Sequence, residues 1–229
     1  MRVDSVFLDA GGVLVHPNWE RVAETLARHG VAADAIRLAA VEPSVRRELD
    51  TDGGVRTTSD RARGEAYFNR VFALAGVPLG PALEPARAEL LAYHTEHNLW
   101  ECVPEGTASA LERLAVGRRL AVVSNSNGTV RAKLQRLGLA RFFDTIVDSL
   151  EEGAEKPDPR IFALALERIG ARPDTTVHVG DLYHVDVVGA RAAGLRAVLL
   201  DPHGLYSDHD CVRVPSLAAL ADLVDSGTL

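Results

Sequence analysis

The sequence predicts an α/β fold, in which a parallel β-sheet is covered by helices on both faces and a smaller helical unit is inserted after the first strand. After Pro104, short apolar runs alternate with helical patterns, and these runs are apolar throughout. Such strands are typical of parallel sheets that are buried on both faces. Residues 16–102, by contrast, carry helical periodicity and no convincing strand.

Composition places the chain among ordinary globular proteins, with 229 residues, 47% hydrophobic content and a net charge of −7. A negative chain is not expected to bind nucleic acid or an anionic membrane, although a small phosphorylated molecule needs only local positive charge. Asp4 and Asp9 interrupt the region where an export signal would lie, and no apolar run is long enough to cross a bilayer. Cys102 and Cys211 lie in unrelated contexts, which favours two reduced thiols. We therefore expect a cytoplasmic protein, with its oligomeric state open.

The first strand is predicted at residues 6–8, and Asp9 follows it directly. Gly11 and Gly12 come next, and they allow a tight turn or the close approach of a ligand to the backbone. Taken alone, an aspartate before two glycines is also typical of a simple turn.

Four helices are predicted between this strand and Pro104 from apolar spacing, caps and stops. In order, they run from Asn18 to Gly30, from Asp34 to about Asp50 with an interruption at Pro43, from Ser59 to Gly76, and from about Ala82 to His97.

The later strands are predicted in RLAVVS, DTIVDS, TVHVGD and RAVLLD, separated by helices such as PDPRIFALALERIG. Asp158 is expected to cap that helix and Pro159 to begin it. Because the first strand has no local partner, we expect it to join the later sheet. Residues 1–15 and 103–229 are therefore predicted to form an α/β core, and residues 16–102 a separate helical unit.

Five polar residues stand where predicted strands end or in the loops that follow. They are Asp9, Ser124, Lys156, Asp181 and Asp186. Ligands of such sheets bind outside the carboxyl ends of the strands, so we expect these side chains to converge on one crevice. Lys156 and Lys133 are the only lysines among 25 basic residues, and arginine does not replace a compact ammonium at every site.

Together these residue types support attack by a carboxylate on phosphorus. Because the attacking carboxylate and the substrate phosphate repel each other, a divalent cation such as Mg²⁺ is needed between them. Carboxylates and a backbone carbonyl are suitable ligands for this ion. Ser124 is expected to donate to a phosphoryl oxygen and Lys156 to neutralise charge. Backbone amides around residues 10–12 and at Asn125 complete the predicted phosphate cradle.

The ordered segments FLDAGGVLV, RLAVVSNS, EKPDPRIF and HVGDLYHVD resemble the motifs of the haloacid dehalogenase superfamily. The resemblance implies a Rossmann-like core with strand order 5-4-1-2-3 and a helical cap domain that closes over the site. It implies Asp9 as the nucleophile that forms an aspartyl intermediate, with Ser124 and Lys156 holding the transferred group. It also implies that Asp181 and Asp186, together with Asp9 and the backbone carbonyl of Gly11, hold Mg²⁺.

Gly11 departs from the pattern of this family, in which most phosphatases have a second aspartate two residues after the nucleophile. That aspartate protonates the leaving oxygen and later activates water, a role worth about 10² to 10⁴ in rate. Three possibilities follow from its absence. Another group replaces the second aspartate, the substrate has a good leaving group, or turnover is slow. His16 is the candidate replacement, although a solvated loop histidine is the simpler interpretation. His184 lies near the acidic pair, and His178 is expected to be a core histidine.

The leading prediction is a Mg²⁺-dependent phosphatase that hydrolyses a small phosphorylated metabolite. Gly11 and Gly12 are expected to contact the substrate together with Ser124, Asn125 and Lys156. One alternative is a 2-haloacid dehalogenase, which uses the same nucleophile without the second aspartate and needs no metal. The other is a low-turnover phosphate-binding or regulatory protein. Activity in the presence of a chelator separates the phosphatase from the dehalogenase.

Overall fold

The computed structural model describes residues 2–57 and 60–229, and these residues form an α/β structure with one large parallel sheet. The strands are β1 (Ser5–Leu8), β2 (His16–Pro17), β3 (Trp100–Cys102), β4 (Arg119–Ser124), β5 (Thr145–Asp148), β6 (Thr176–Gly180), β7 (Arg196–Leu200) and β8 (Val212–Val214). The helices are α1 (Trp19–Arg28), α2 (Ala35–Leu49), α3 (Asp52–Thr57), α4 (Asp60–Ala75), α5 (Glu84–Glu96), α6 (Thr107–Leu114), α7 (Val130–Arg136), α8 (Ser149–Glu152), α9 (Pro159–Ile169), α10 (Val188–Ala192) and α11 (Leu217–Asp225).

The large sheet has the strand order β5-β4-β1-β6-β7-β8, and its strand pairs are parallel. Numbered in chain order, the five predicted strands β1, β4, β5, β6 and β7 give the order 5-4-1-2-3, which confirms the expectation. The sequence did not predict β8, which pairs with β7 at the edge of the sheet. Two of the three residues of β8 are exposed, so its pattern lacks the apolar run that marks the other strands.

The first strand lies at the centre of this sheet, as expected from its lack of a local partner. Its four residues are buried, and each has a partner on both β4 and β6. Phe7, for example, is paired with Ala121 on one side and His178 on the other. The central position places the carboxyl end of β1 between the ends of two neighbouring strands.

The helical segment differs from its prediction at Pro43, in two short strands and in the added helix α3, Asp52–Thr57. Pro43 does not interrupt α2, which is continuous, and buried Leu38 and Val45 lie on either side of the proline. The packing of these apolar side chains outweighs the one hydrogen bond that proline removes. The predicted absence of strands is also wrong, because β2 and β3 form a separate two-stranded sheet. Those strands have only two and three residues, too few to show a pattern. The predicted cap at Ser59 lies outside the described residues.

The chain divides into two compact units, residues 1–16 with 102–229 and residues 17–101. In the first, Phe7, Val123 and Phe162 belong to a buried core between the sheet and its helices. In the second, Trp19 and Phe72 belong to a separate core formed by the helices. Each unit therefore has its own hydrophobic core. Across the described residues, every helix is either too short or too polar to cross a membrane.

Candidate active site at the carboxyl edge of the sheet

Asp9 leaves the central strand at the carboxyl edge of the sheet, where it is the first residue after β1. Its backbone amide donates to the carbonyl of Val179 in β6, at 2.9 Å. The chain then turns sharply, and the amides of Leu14 and Val15 both donate to the carbonyl of Ala10, at 2.9 and 3.0 Å. Gly12 has a φ of 72°, a left-handed conformation that side chains disfavour. The glycine-rich turn thus fixes the backbone next to the Asp9 carboxylate.

Lys156 joins two of the predicted acids through its fully buried ammonium group. Its Nζ lies 3.0 Å from Asp9 Oδ1 and 2.7 Å from Asp186 Oδ1. Asn125, which follows β4, fixes the backbone of this lysine from the neighbouring loop. The Asn125 side-chain amide donates to the Lys156 carbonyl at 3.0 Å, and its Oδ1 accepts from the Lys156 amide at 2.7 Å. Segments that follow four different strands therefore meet at Lys156, two of them at its ammonium and one at its backbone.

Asp186 is held in place from three directions. It lies in a π-helical turn, Tyr183–Val187, that follows β6 along the chain. Its Oδ2 accepts from the amide of Leu182 at 3.1 Å, while its Oδ1 lies 2.9 Å from His178 Nε2 in addition to Lys156. Gly180 makes room for it, because a Cβ atom at Gly180 would lie 2.0 Å from Asp186 Cγ. The glycine of the segment HVGD is thus required by close packing.

Asp181 completes a group of three carboxylates that fits a hard divalent cation. One oxygen each from Asp9, Asp181 and Asp186 lies within 4.8 Å of the others. Asp181 and Asp186 are buried, and the side chain of Asp9 is 13% exposed. Oxygen donors of this kind are those that Mg²⁺ prefers. The residues present therefore suit the ion that the sequence predicts.

The pKa values in the site reflect a competition between burial and charge pairing. Burial raises the pKa of Asp9, and the Asp186 charge raises it further, whereas Lys156 and a hydrogen bond from Ser124 lower it. Burial also disfavours the charged forms of Lys156 and Asp186, but their mutual attraction outweighs it. The pKa of Lys156 is therefore raised and that of Asp186 lowered. Lys156 and Asp186 thus remain a charged pair over the working pH range.

Ser124 ends β4 and is buried beside Asp9. Gly11 forms a bridge to Val15 within the turn, and its exposure is intermediate. All five polar residues that the sequence singled out therefore belong to one edge of one sheet. Their roles in chemistry stay predictions, because geometry alone does not test them.

Sequence reasoning treated His178 as a core residue and missed its contact with the site. The imidazole is fully buried and packs edge-on against Phe162 at 4.9 Å between ring centroids, as a core residue would. Its Nε2, however, contacts the carboxylate of Asp186. The available signal was its position in TVHVGD, where it lies in the strand that delivers Asp181.

The two other histidines that were considered have different surroundings. His184 stacks edge-on with Tyr183 and His209, with centroids 5.1 and 5.8 Å away. His16 begins β2 and is of intermediate exposure. Neither position tests the suggestion that a histidine replaces the missing acid.

The fold and the site together define a Rossmann-like α/β protein with a carboxylate and lysine centre at the carboxyl edge of its sheet. The family model for haloacid dehalogenase-like hydrolases matches residues 3–194. The chain therefore belongs to the haloacid dehalogenase-like hydrolases, as the four motifs indicated.

Two curated relatives are phosphatases by name. The chain is 38% identical over 161 residues to a ribulose-1,5-bisphosphate 5-phosphatase of Halopiger xanaduensis, a match that covers 69% of this chain and 65% of that protein. It is 37% identical over 127 residues to a glyceraldehyde 3-phosphate phosphatase of Methanothermobacter thermautotrophicus, covering 54% and 56%. The chain thus spans less than two thirds of the length of either relative.

A solved structure supports the fold over the whole chain. The HAD-hydrolase YfnB of Bacillus subtilis, solved bound to magnesium, has a TM-score of 0.73 with this protein, covering 98% of this chain and 100% of that one. The sequence identity is 17%, so the likeness concerns the fold.

Proposed function

We propose that this protein is a Mg²⁺-dependent phosphomonoester hydrolase that acts on a small phosphorylated metabolite through an aspartyl phosphate on Asp9. The observation that carries the proposal is the Lys156 ammonium, held 3.0 Å from Asp9 Oδ1 and 2.7 Å from Asp186 Oδ1. A fixed positive charge at the nucleophile reduces the repulsion of an anionic substrate. The names of the two curated relatives support phosphate esters as the substrate class.

In the proposed reaction, Asp9 attacks phosphorus with Oδ2. The amide of Ala10 donates to Oδ1 at 2.7 Å, and Lys156 also contacts Oδ1, so both contacts orient the other oxygen for attack. The new bond joins Asp9 Oδ2 to phosphorus, and the bond from phosphorus to the alcohol oxygen of the substrate breaks. The Ser124 hydroxyl donates a hydrogen bond to a phosphoryl oxygen, and Lys156 neutralises charge on the phosphoryl group. Water then attacks the phosphorus of the acyl phosphate and regenerates the Asp9 carboxylate.

The proposed metal ligands are the carboxylates of Asp9, Asp181 and Asp186 and the backbone carbonyl of Gly11. The proximity of the three carboxylates, within 4.8 Å of one another, supports this set. When bound, Mg²⁺ supplies positive charge between the nucleophile and the phosphate. Glycine retains the carbonyl that a metal needs, so the replacement at position 11 does not remove a ligand.

Gly11 does remove the carboxyl group that would protonate the leaving oxygen. The proposal therefore includes a preference for substrates whose leaving groups need little protonation, such as aryl phosphates. The backbone amides of Gly11, Gly12 and Asn125 complete the proposed phosphate cradle. In this proposal residues 16–102 form the cap domain and select the substrate, and the protein is cytoplasmic. The two free cysteines, Cys102 and Cys211, support that location.

The test is phosphate release from an aryl phosphate and a panel of phosphorylated metabolites, with Mg²⁺ and with a chelator. We expect release that requires Mg²⁺ and that Asp9→Asn abolishes. Release by Asp9→Asn at the wild-type rate would contradict the nucleophile. Binding of phosphate without turnover on any compound would replace the proposal with the low-turnover binding protein, which Gly11 favours.

Gly11 also keeps carbon–halogen hydrolysis as a second candidate, because that reaction needs no second aspartate. The matched assay is halide release from a 2-haloacid under the same two conditions. Halide release that persists in the chelator, without phosphate release in Mg²⁺, would identify a dehalogenase.

A further inference from the structure

His178 is a polar residue of the central sheet whose side chain contacts the candidate site from the interior. It lies in β6, is fully buried, and packs edge-on against Phe162. Its Nε2 lies 2.9 Å from Asp186 Oδ1. A buried polar ring is unfavourable unless its nitrogens make hydrogen bonds. The contact with Asp186 is therefore the interaction that offsets the cost of burying an imidazole here.

The surroundings of Asp186 determine which ring nitrogen of His178 carries the hydrogen. An ionised carboxylate only accepts hydrogen bonds, and a neutral imidazole has one N–H donor and one acceptor. The Lys156 ammonium already donates to Asp186 Oδ1, at 2.7 Å, so the imidazole nitrogen beside the same oxygen must also be a donor. The hydrogen therefore lies on Nε2. The other nitrogen, Nδ1, is buried and has no hydrogen-bond partner within residues 2–57 and 60–229. The ring is thus oriented for Asp186 alone.

Two residues on one face of β6 shape the surroundings of Asp186. Residues i and i+2 of a strand point to the same side, so His178 and Gly180 share a face. A Cβ atom at Gly180 would lie 2.0 Å from Asp186 Cγ, so the carboxyl group packs directly against the strand. Gly180 provides the space and His178 provides the hydrogen bond. The strand therefore fixes both the place and the orientation of this side chain.

The imidazole is the donor that holds Asp186 Oδ1 independently of the nucleophile. Asp186 Oδ2 accepts from the Leu182 amide at 3.1 Å, and Oδ1 is shared by Lys156 and His178. Lys156 also contacts Asp9 at 3.0 Å, so a shift of Asp9 or of its bound group would move the lysine. Without the imidazole donor, the orientation of Oδ1 would depend on that lysine.

We propose that His178 is a positioning residue, whose Nε2–H holds the Asp186 carboxylate in the orientation that binds Mg²⁺. Hydrogen bonds to metal-ligating carboxylates fix the orientation of the ligand, and their loss typically lowers metal affinity or activity by about tenfold to a hundredfold. This inference rests on the proposed function, in which Asp186 is a metal ligand. It deepens that proposal by giving a role to a residue that acts through Asp186 and not on the substrate.

The test compares the wild type with His178→Leu, His178→Gln and Val177→Ala. Leucine fills much of the space without a donor, whereas glutamine carries an amide N–H in place of the imidazole Nε2–H. Val177 is buried in the same strand and points to the opposite face, so Val177→Ala is the matched control for lost packing. Calorimetry measures Mg²⁺ binding without substrate, and hydrolysis of an aryl phosphate is followed over a range of Mg²⁺ concentrations. Nitrogen NMR of the wild type reports which imidazole nitrogen carries the hydrogen.

We expect His178→Leu to raise the Mg²⁺ dissociation constant by about tenfold to a hundredfold. The KM for the aryl phosphate at saturating Mg²⁺ should change little, because His178 does not contact the substrate. His178→Gln should restore most of the Mg²⁺ affinity, and Val177→Ala should bind Mg²⁺ as tightly as the wild type. Equal losses in His178→Leu and Val177→Ala, no rescue by glutamine, or a hydrogen on Nδ1 instead of Nε2 would each overturn the positioning role.

The outcomes separate this inference from the proposed function. A wild type that binds no Mg²⁺ would overturn both. A wild type that binds Mg²⁺ but hydrolyses no phosphate ester would overturn the proposed function, and the Mg²⁺ affinity of His178→Leu would still decide the inference. A wild type that does both, with unchanged Mg²⁺ affinity in His178→Leu, would overturn the inference alone. If His178→Leu does not fold, the same titration of His178→Met decides: weaker Mg²⁺ binding supports the inference, and unchanged binding overturns it.

Discussion

Replacing Lys133 by methionine is predicted to stabilise the protein at neutral pH. Burial lowers the pKa of this lysine from its ordinary 10.5 to about 8, with Asp9 and Asp148 opposing the shift and Arg136 adding to it. One pKa unit corresponds to about 1.4 kcal/mol, so holding the ammonium protonated inside the protein at pH 7 costs about 3 kcal/mol. Methionine has a similar volume and no charge, so it removes this cost.

The pH dependence of that difference follows from proton linkage. Between pH 8 and 10.5 the unfolded chain binds a proton at this residue more strongly than the folded chain, so the stability of the wild type rises with pH through this window. The advantage of Lys133→Met is therefore expected to be about 1 to 3 kcal/mol at pH 7 and to shrink towards pH 10.

Urea unfolding of both proteins between pH 6.5 and 10, in metal-free buffer, measures this difference. Gln135→Met, at an exposed and uncharged position of the same helix, is the matched control, and its difference from the wild type should not change through the same window. A Lys133→Met protein that is less stable than the wild type at pH 7, or a difference that does not vary with pH, would refute the reasoning.

Three further predictions concern the proposed metal and its surroundings. Removing Mg²⁺ with a chelator should abolish phosphate release, and added Mg²⁺ should restore it; full activity in the chelator would contradict a metal-dependent reaction. Gly11→Asp should speed turnover several-fold if the site lacks a general acid, because Gly12 rather than Gly11 has the left-handed φ among the described glycines. An unchanged rate would indicate a replacement elsewhere. Gly180→Ala should lower kcat/KM by about tenfold or more, because its Cβ would lie 2.0 Å from Asp186 Cγ. Gly64→Ala, with open space around its Cβ, is the matched control, and equal activity of both variants would argue against a positioning role for Gly180.

The sequence predicted the sheet well because each central strand is a continuous apolar run. Residues 5–8 of β1 are fully enclosed between β4 and β6, which leaves a clear pattern. Short edge strands carry no such signal, as β8 shows with three residues, two of them exposed. The predicted interruption at Pro43 is wrong for a different reason. Tertiary packing of α2 overrides the strong preference of proline against the interior of a helix.

The candidate site was predictable where residues end strands, since parallel strands share one carboxyl edge. Asp9, Ser124 and Asp181 fall in this class, and their convergence follows from topology. His178 does not, because its importance depends on where its side chain points within the interior. A strand position looks like core in the sequence, and only the contact of the His178 Nε2 with Asp186 distinguishes it from an ordinary core residue.

Detecting the covalent intermediate on Asp9 tests the proposed chemistry most directly. The Mg²⁺-loaded protein is quenched during turnover of a phosphate ester and treated with borohydride, which reduces an acyl phosphate to an alcohol and leaves a free carboxylate unchanged. Peptide mass spectrometry should then find the side chain of residue 9 reduced in substrate-treated protein alone. Rapid phosphate release with residue 9 unmodified, or with the reduced group at another acid, would contradict Asp9 as the nucleophile.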